Sequence, residues 1–161
     1  MIRELLLSTD DYRPPAQGLQ IRGTWITGNL NLEGEAVPVP LYLYNCTLDE
    51  DVNLHNCTLP ALYPPGTQLS ALHAQRLRCG GDLHLRDGFE ATGLVDLAGA
   101  KITGQLACHG GKFLAKDVAL HCDTITVGAT AHLSDGFEAK RKVGLAGAIG
   151  CLGQDQTRAR L

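Results

Sequence analysis

The chain has 161 residues, which suits one domain or one unbroken repeat array. Hydrophobic residues make up 44% of it but aromatics only 5%, so Leu, Ile, Val, Ala and Cys must build the core. With a formal net charge of −3 the sequence offers no basic stripe of the kind that duplex binding through phosphates needs, and the charge is too small for a polyacidic nucleic-acid mimic.

Residues 2–8 place Ile2, Leu5 and Leu6 opposite Arg3 and Glu4, which predicts a short N-terminal helix closing whatever follows. The apolar stretch is too short for a secretory h-region and contains Glu4, and no run of 18 apolar residues occurs anywhere. A cytoplasmic protein without a membrane span is expected, its six cysteines (Cys46, Cys57, Cys79, Cys108, Cys122, Cys151) reduced.

From Gly18 a repeat sets in. Two apolar residues flank one variable residue, and a third apolar residue follows five positions later: Leu19, Ile21, Ile26; Leu30, Leu32, Val37; Leu41, Leu43, Leu48; Val52, Leu54, Leu59. Each unit starts eleven residues after the last. Alternation of this kind makes a short strand with one buried face. Gly23, Gly34, Asn45, Asn56 and Gly99 follow the strands, where left-handed backbone angles are cheap. Cys46, Cys57 and Ala100 come next, small side chains at inward positions.

Residues 60–70, with Pro60, Pro64, Pro65 and Gly66, break the register and are read as a projecting loop, after which Leu72, Ala74 and Leu77 restore the pattern. It resumes with Leu83 and Leu85; Val95, Leu97, Ile102; Leu106, Cys108, Phe113; Val118, Leu120, Ile125; Ala131, Leu133; and Val143, Leu145. Residues 84–91 repeat at 132–139, including Asp-Gly-Phe-Glu, an offset of 48 that equals four units of twelve. Residues 149–161 read as an irregular tail.

No helical segment lies between the strands, so a βαβ fold is excluded, and an antiparallel barrel leaves the shared register unexplained. The pattern predicts one all-β domain over 1–161. It is a right-handed parallel β-helix of about six coils, two units to a coil, with consecutive units on opposite sides. An uncapped last coil would expose strand edges, which suggests a homodimer joined there.

The segments Leu19-x-Ile21-x-Gly23, Ile26-x-Gly28-x-Leu30-x-Leu32-x-Gly34 and Leu97-Ala98-Gly99-Ala100-Lys101-Ile102-Thr103-Gly104 resemble a bacterial group of pentapeptide-repeat-like β-solenoid proteins, often labelled membrane-associated oxidoreductases. The resemblance covers roughly residues 18–148. Cys46-Thr47-Leu48 and Cys57-Thr58-Leu59 look like the small-x-Leu element of pentapeptide repeats, although spacings of two, five and four alternate here. The resemblance implies an architecture. Oxidoreductase activity finds no support in the residues: no Gly-x-Gly-x-x-Gly follows a strand, and no Cys-x-x-Cys occurs.

Cys108-His109 and His121-Cys122 form a mirrored pair that suggests a Cys2His2 zinc site. In the repeat the cysteines point inward and the histidines outward, so buried thiols are the preferred reading and no metal or cofactor is expected. His84 and His132 fall at equivalent outward positions two coils apart, with Ala107 between them. The exposed aromatics Trp25, Tyr42, Tyr44 and Tyr63 and the acidic corners Asp87, Glu90, Asp135 and Glu138 remain as candidate interaction residues, the acids as a stacked edge beside a docking surface. No nucleophile, base and oxyanion donor can be placed together, so no catalytic residue is named and an enzyme ranks third. The expected function is a non-catalytic interaction or scaffolding module for a protein partner, without direct nucleic-acid binding. The alternative is a protein inhibitor of a nucleic-acid enzyme, by analogy with other repeat solenoids.

Overall fold

A computed structural model of the protein describes residues 1–152, the last two by backbone alone. It is an all-β parallel solenoid of about six coils with one short helix at the N-terminus. Every ladder is parallel, and each rung pairs with the one a full coil later: Leu41 with Leu62, Leu106 with Ala131. Such steps account for the eleven- and twelve-residue units, since two units close one coil.

Each coil has four sides. The first face stacks Leu19–Arg22, Leu41–Tyr44, Leu62–Tyr63, Leu83–His84, Leu106–Ala107 and the end of Thr126–His132. A second six-stranded face runs from Trp25–Ile26 to Glu138–Ala139, and a third from Leu30–Asn31 to Lys142–Gly144. The fourth holds Thr58–Leu59, Arg78–Cys79, Lys101–Ile102, the start of Thr126–His132 and Ile149–Leu152. Thr126–His132 thus turns the corner from the fourth face to the first and joins the two into one sheet. Each unit supplies two adjacent sides, so Leu41 and Val52, which open consecutive units, lie on opposite faces.

The corners explain the glycines and asparagines. Between the third and fourth faces the backbone takes positive φ at Gly34, Asn56, Arg76, Gly99 and Thr124, one above another. Turn bonds close each corner, such as Cys57 N–H to Leu54 C=O (3.0 Å) and Ile125 N–H to Cys122 C=O (3.1 Å), with the left-handed residue third in the turn, as in type II turns. The repeated Asp-Gly pairs, Asp87-Gly88 (φ 52, 86) and Asp135-Gly136 (φ 45, 84), have the dihedral signs of type I′ turns. In a hairpin such a turn reverses the chain; here it carries the chain from one face of a coil to the next.

The interior is one apolar cluster. Leu41, Leu62, Leu83 and Leu106 stack beneath the first face, and Leu30, Val52, Leu72, Val95 and Leu120 beneath the third. Phe89, Phe113 and Phe137 form an internal ring stack at 5.6 and 5.3 Å. The inward positions after the corners are therefore not reserved for small residues: Leu77, Phe89 and Ile125 fill rungs equivalent to Cys46 or Cys57. The N-terminal helix α1 (Ile2–Leu6) closes the first coil, with Leu6 fully buried and Arg3 paired to Glu35.

Two sequence expectations need correction. Residues 60–70 are not a projecting loop: Leu62 pairs with both Leu41 and Leu83, and Gln68–Leu69 lies in the second face. Pro65 and Gly66 occupy the two central positions of a turn closed by Thr67 N–H to Pro64 C=O (3.2 Å), and φ at Gly66 is +66°, the type II signature. The prolines keep the coil's path, because they sit where the strand ends and a corner begins. The expected tail also starts later, since Ile149–Leu152 is a strand paired with Thr126–His132. Residues 153–161, the rest of that tail, lie outside the described residues.

Candidate functional site

The outward side chains of the first face form two parallel columns. By register, one holds Gln20, Tyr42, Tyr63, His84, Ala107 and His132; the other holds Arg22, Tyr44, Pro65, Arg86 and His109. Alternation puts them there: each is the variable residue next to an inward Leu or its equivalent. Rungs about 4.8 Å apart bring planar groups to stacking distance. Tyr42 and Tyr63 stack at 4.9 Å with 5° between their planes, and the nearly parallel ring of Tyr44 lies 6.0 Å from Tyr42. His84 meets Tyr63 edge-on at 4.5 Å. The Arg22 guanidinium lies 4.0 Å over the Tyr44 ring. Arg86 binds Asp87 (3.2 Å) and reaches His109 (3.3 Å).

Burial alters the chemistry of this face. The Tyr63 phenol is pushed above its ordinary value, mainly by desolvation and then by Asp82, so it stays a protonated donor. The imidazole of His84 is held low, first by burial and then by Arg86. Among the described residues neither of its ring nitrogens makes a hydrogen bond, and Asp82 is 3.5 Å from Nε2. Tyr42, Tyr44, Tyr63, Pro65, Arg86 and Asp87, with His84, enclose a surface notch of about 230 Å³.

Tyr42, Tyr44 and Tyr63 thus come together, with Asp87 at their rim. Trp25 does not join them. It stands 69% exposed on the second face, beside a cleft it shares with Met1, Ile2 and Arg3. Nor do the acids form a stacked edge: Lys112 separates Glu90 from Glu138 in the ladder, while Asp87 and Asp135 sit at the corner between the first two faces. The motif at 87–90 and 135–138 recurs two coils apart, and the coil between places Lys112 in the Glu column and Gly110 at the Asp corner.

The sequence reading overlooked a polar column on the third face, Asn31, Asn53, His73, Asp96 and His121. Asp96, only 7% exposed, accepts hydrogen bonds from Gln75 Nε2 (2.8 Å) and the Ala98 N–H (3.0 Å) and faces His121 Nδ1 at 3.2 Å. His121 Nε2 faces Asp123 at 3.2 Å, and Asp123 is held below the usual carboxylate range by the Ala146 N–H. A carboxylate oxygen thus lies 3.2 Å from each ring nitrogen, so the imidazole bridges Asp96 of one coil and Asp123 of the next. A polar residue at the variable position of alternate units was the signal for this column.

Cys108 lies under the first face and Cys122 under the third, while His109 and His121 face outward. Burial raises the Cys57 and Cys122 thiols to about 12 and Cys108 well above its ordinary value, which suppresses thiolate chemistry near neutral pH. Among the described residues no group of three His, Cys, Asp or Glu side chains is arranged to hold a metal ion. No helix among them is long and apolar enough to cross a membrane. Comparison with known proteins finds no matching family model, curated protein or solved structure.

Proposed function

We propose that this protein is a non-catalytic interaction module that docks a protein partner on its first face. The observation that carries the reading is the stacked row of Tyr42, Tyr44 and Tyr63, flanked by Arg22 and Arg86. Tyrosine and arginine are the residue types that anchor protein interfaces, because each presents large area for few rotatable bonds. Mutual stacking pre-orders these side chains, so docking loses little further rotamer entropy. Kinship with pentapeptide-repeat-like solenoids is part of the proposal. The shortest coils, such as the one that carries Leu41 to Leu62, spread two units over four sides, so each side is close to a pentapeptide in length.

Affinity capture with wild-type protein and with a Tyr42→Ala/Tyr44→Ala variant tests the reading, in parallel with and without nuclease. The expected result is a stoichiometric protein partner held by wild type, lost by the variant and indifferent to nuclease. Equal capture by both proteins would refute docking on this face. Nuclease-sensitive recovery of a nucleic-acid enzyme would favour the inhibitor role instead.

A further inference from the structure

The geometry points to the notch between Tyr44 and Arg86 as a socket for one aromatic side chain, Trp or Tyr, of the docking partner; this rests on the first face being the docking face. The second column of that face reads Arg22, Tyr44, Pro65, Arg86, His109 by register. On one side of Tyr44 the rung is filled, with the Arg22 guanidinium 4.0 Å over the ring. On the other side the rung belongs to Pro65, whose side chain is too short to cover the phenol. Arg86 stands on the rung beyond, about 10 Å from Tyr44 at two strand spacings. The Arg86 guanidinium is held by Asp87 and His109, and the notch lined by Tyr44, Pro65 and Arg86 lies open over the Pro65 rung, where one planar group can enter.

Shape and charge narrow the occupant. The notch, about 230 Å³, falls below the roughly 300–1,000 Å³ of clefts that bury drug-sized ligands, so it suits a single side chain. A guanidinium there would face Arg86, like charge against like. An aromatic ring offers one face to Tyr44 and the other to the Arg86 cation, repeating the Arg22–Tyr44 arrangement the molecule already uses. Asp87 on the rim can accept a hydrogen bond from an indole N–H or a phenol O–H, which favours Trp and Tyr over Phe. A nucleobase could also stack there, but Asp87 lies on the rim and Arg86, the cation lining the notch, is already paired with it, so no basic track is built for a phosphate backbone.

A random peptide library displayed on phage and selected on the whole chain tests the socket. Adenosine monophosphate serves as the nucleobase probe. Enriched peptides are expected to share a Trp or Tyr and to bind Pro65→Tyr, which fills the rung from within, at least tenfold more weakly than wild type. Arg86→Gln leaves the rung empty and the corner turn in place. It should weaken the same peptides about 2- to 30-fold, the range of a cation–π contact. His121→Gln, on the opposite face, should leave them unchanged. Peptides that lose affinity for Tyr42→Ala yet bind Pro65→Tyr and Arg86→Gln as they bind wild type would overturn the socket and leave first-face docking standing. A selection yielding no peptide sensitive to Tyr42→Ala would overturn both. Nucleotide competing with the peptides at lower concentration than N-acetyltryptophanamide would assign the notch to a base instead.

Discussion

Thr67 shows how one buried polar group can hold two coils in register. Its hydroxyl donates to the Leu43 carbonyl at 2.7 Å and accepts the Cys46 N–H at 3.2 Å, completing a corner of the preceding coil from the coil above. Thr67→Val keeps the shape and leaves both backbone groups unpaired in a fully buried site. A loss of about 1–3 kcal/mol is expected, read as a shift in urea midpoint, with Thr67→Ser recovering most of it. His84 couples stability to pH. Its folded-state proton affinity is depressed by burial and by Arg86, so the unfolded chain protonates this ring at higher pH than the folded chain does. Stability from this group is whole above the ordinary histidine pKa of about 6.5 and falls as pH drops below it, towards the lower folded value. Urea midpoints measured from pH 7.5 to 5.5 should decline for wild type and decline less for His84→Phe. Parallel curves for the two proteins would contradict the assignment. Both residues were visible in the sequence, but neither partner set was, because each contact crosses between coils.

At the scale of the element, the corners carry the conformational cost of the fold. Gly34, Asn56, Arg76, Gly99 and Thr124 share one corner column, and they are not equally suited to it. Glycine tolerates positive φ, asparagine does so moderately, and a β-branched threonine at φ 57 is strained. Thr124→Gly is therefore expected to raise stability by about 1 kcal/mol, the reverse of the usual effect of adding glycine. A lower thermal midpoint for that variant would show that the threonine side chain contributes more by contact than it loses by strain. The Gly and Asn corners were legible in the sequence because their chemistry is local. Arg76 and Thr124 were not, since nothing about either residue marks a left-handed turn until stacking imposes one. The Pro-Pro-Gly turn at 64–66 was misread for a related reason: proline marks the end of a strand, and only pairing on both sides distinguishes a corner from an excursion.

For the whole molecule, stability follows from stacking of each coil on its two neighbours, as in other solenoids. Leu83 is fully buried with rungs on both sides, whereas Ile21 lies in the first coil and is only partly buried. Leu83→Ala should cost about 2–5 kcal/mol and shed amide protection across the central coils. Ile21→Ala should cost less and confine its effect to the first coil and α1. Hydrogen exchange resolved by residue separates these outcomes, and a uniform loss of protection in both variants would refute nearest-neighbour stacking.

What the amino-acid order determined by itself was the winding: the inward Leu, Ile and Val of the regular units, the Gly and Asn corners, and that no helix intervenes. Those properties are local, set by alternation along a strand and by backbone preference at a turn. Val118, read as inward, instead sits at a register shift where Ala119 and Leu120 are buried. Tertiary structure decided which outward residues become neighbours, because the coil length varies along the molecule. The step from Leu41 to Leu62 is shorter than the step from Leu106 to Ala131, and no fixed period reproduces both. The Phe89–Phe113–Phe137 stack keeps an even step, but the Tyr42–Tyr63 pair and the clasp of Asp96 on His121 depend on coils of different length. Strand pairing brings distant side chains within about 5 Å of each other, and it is there that the surface acquires its chemistry.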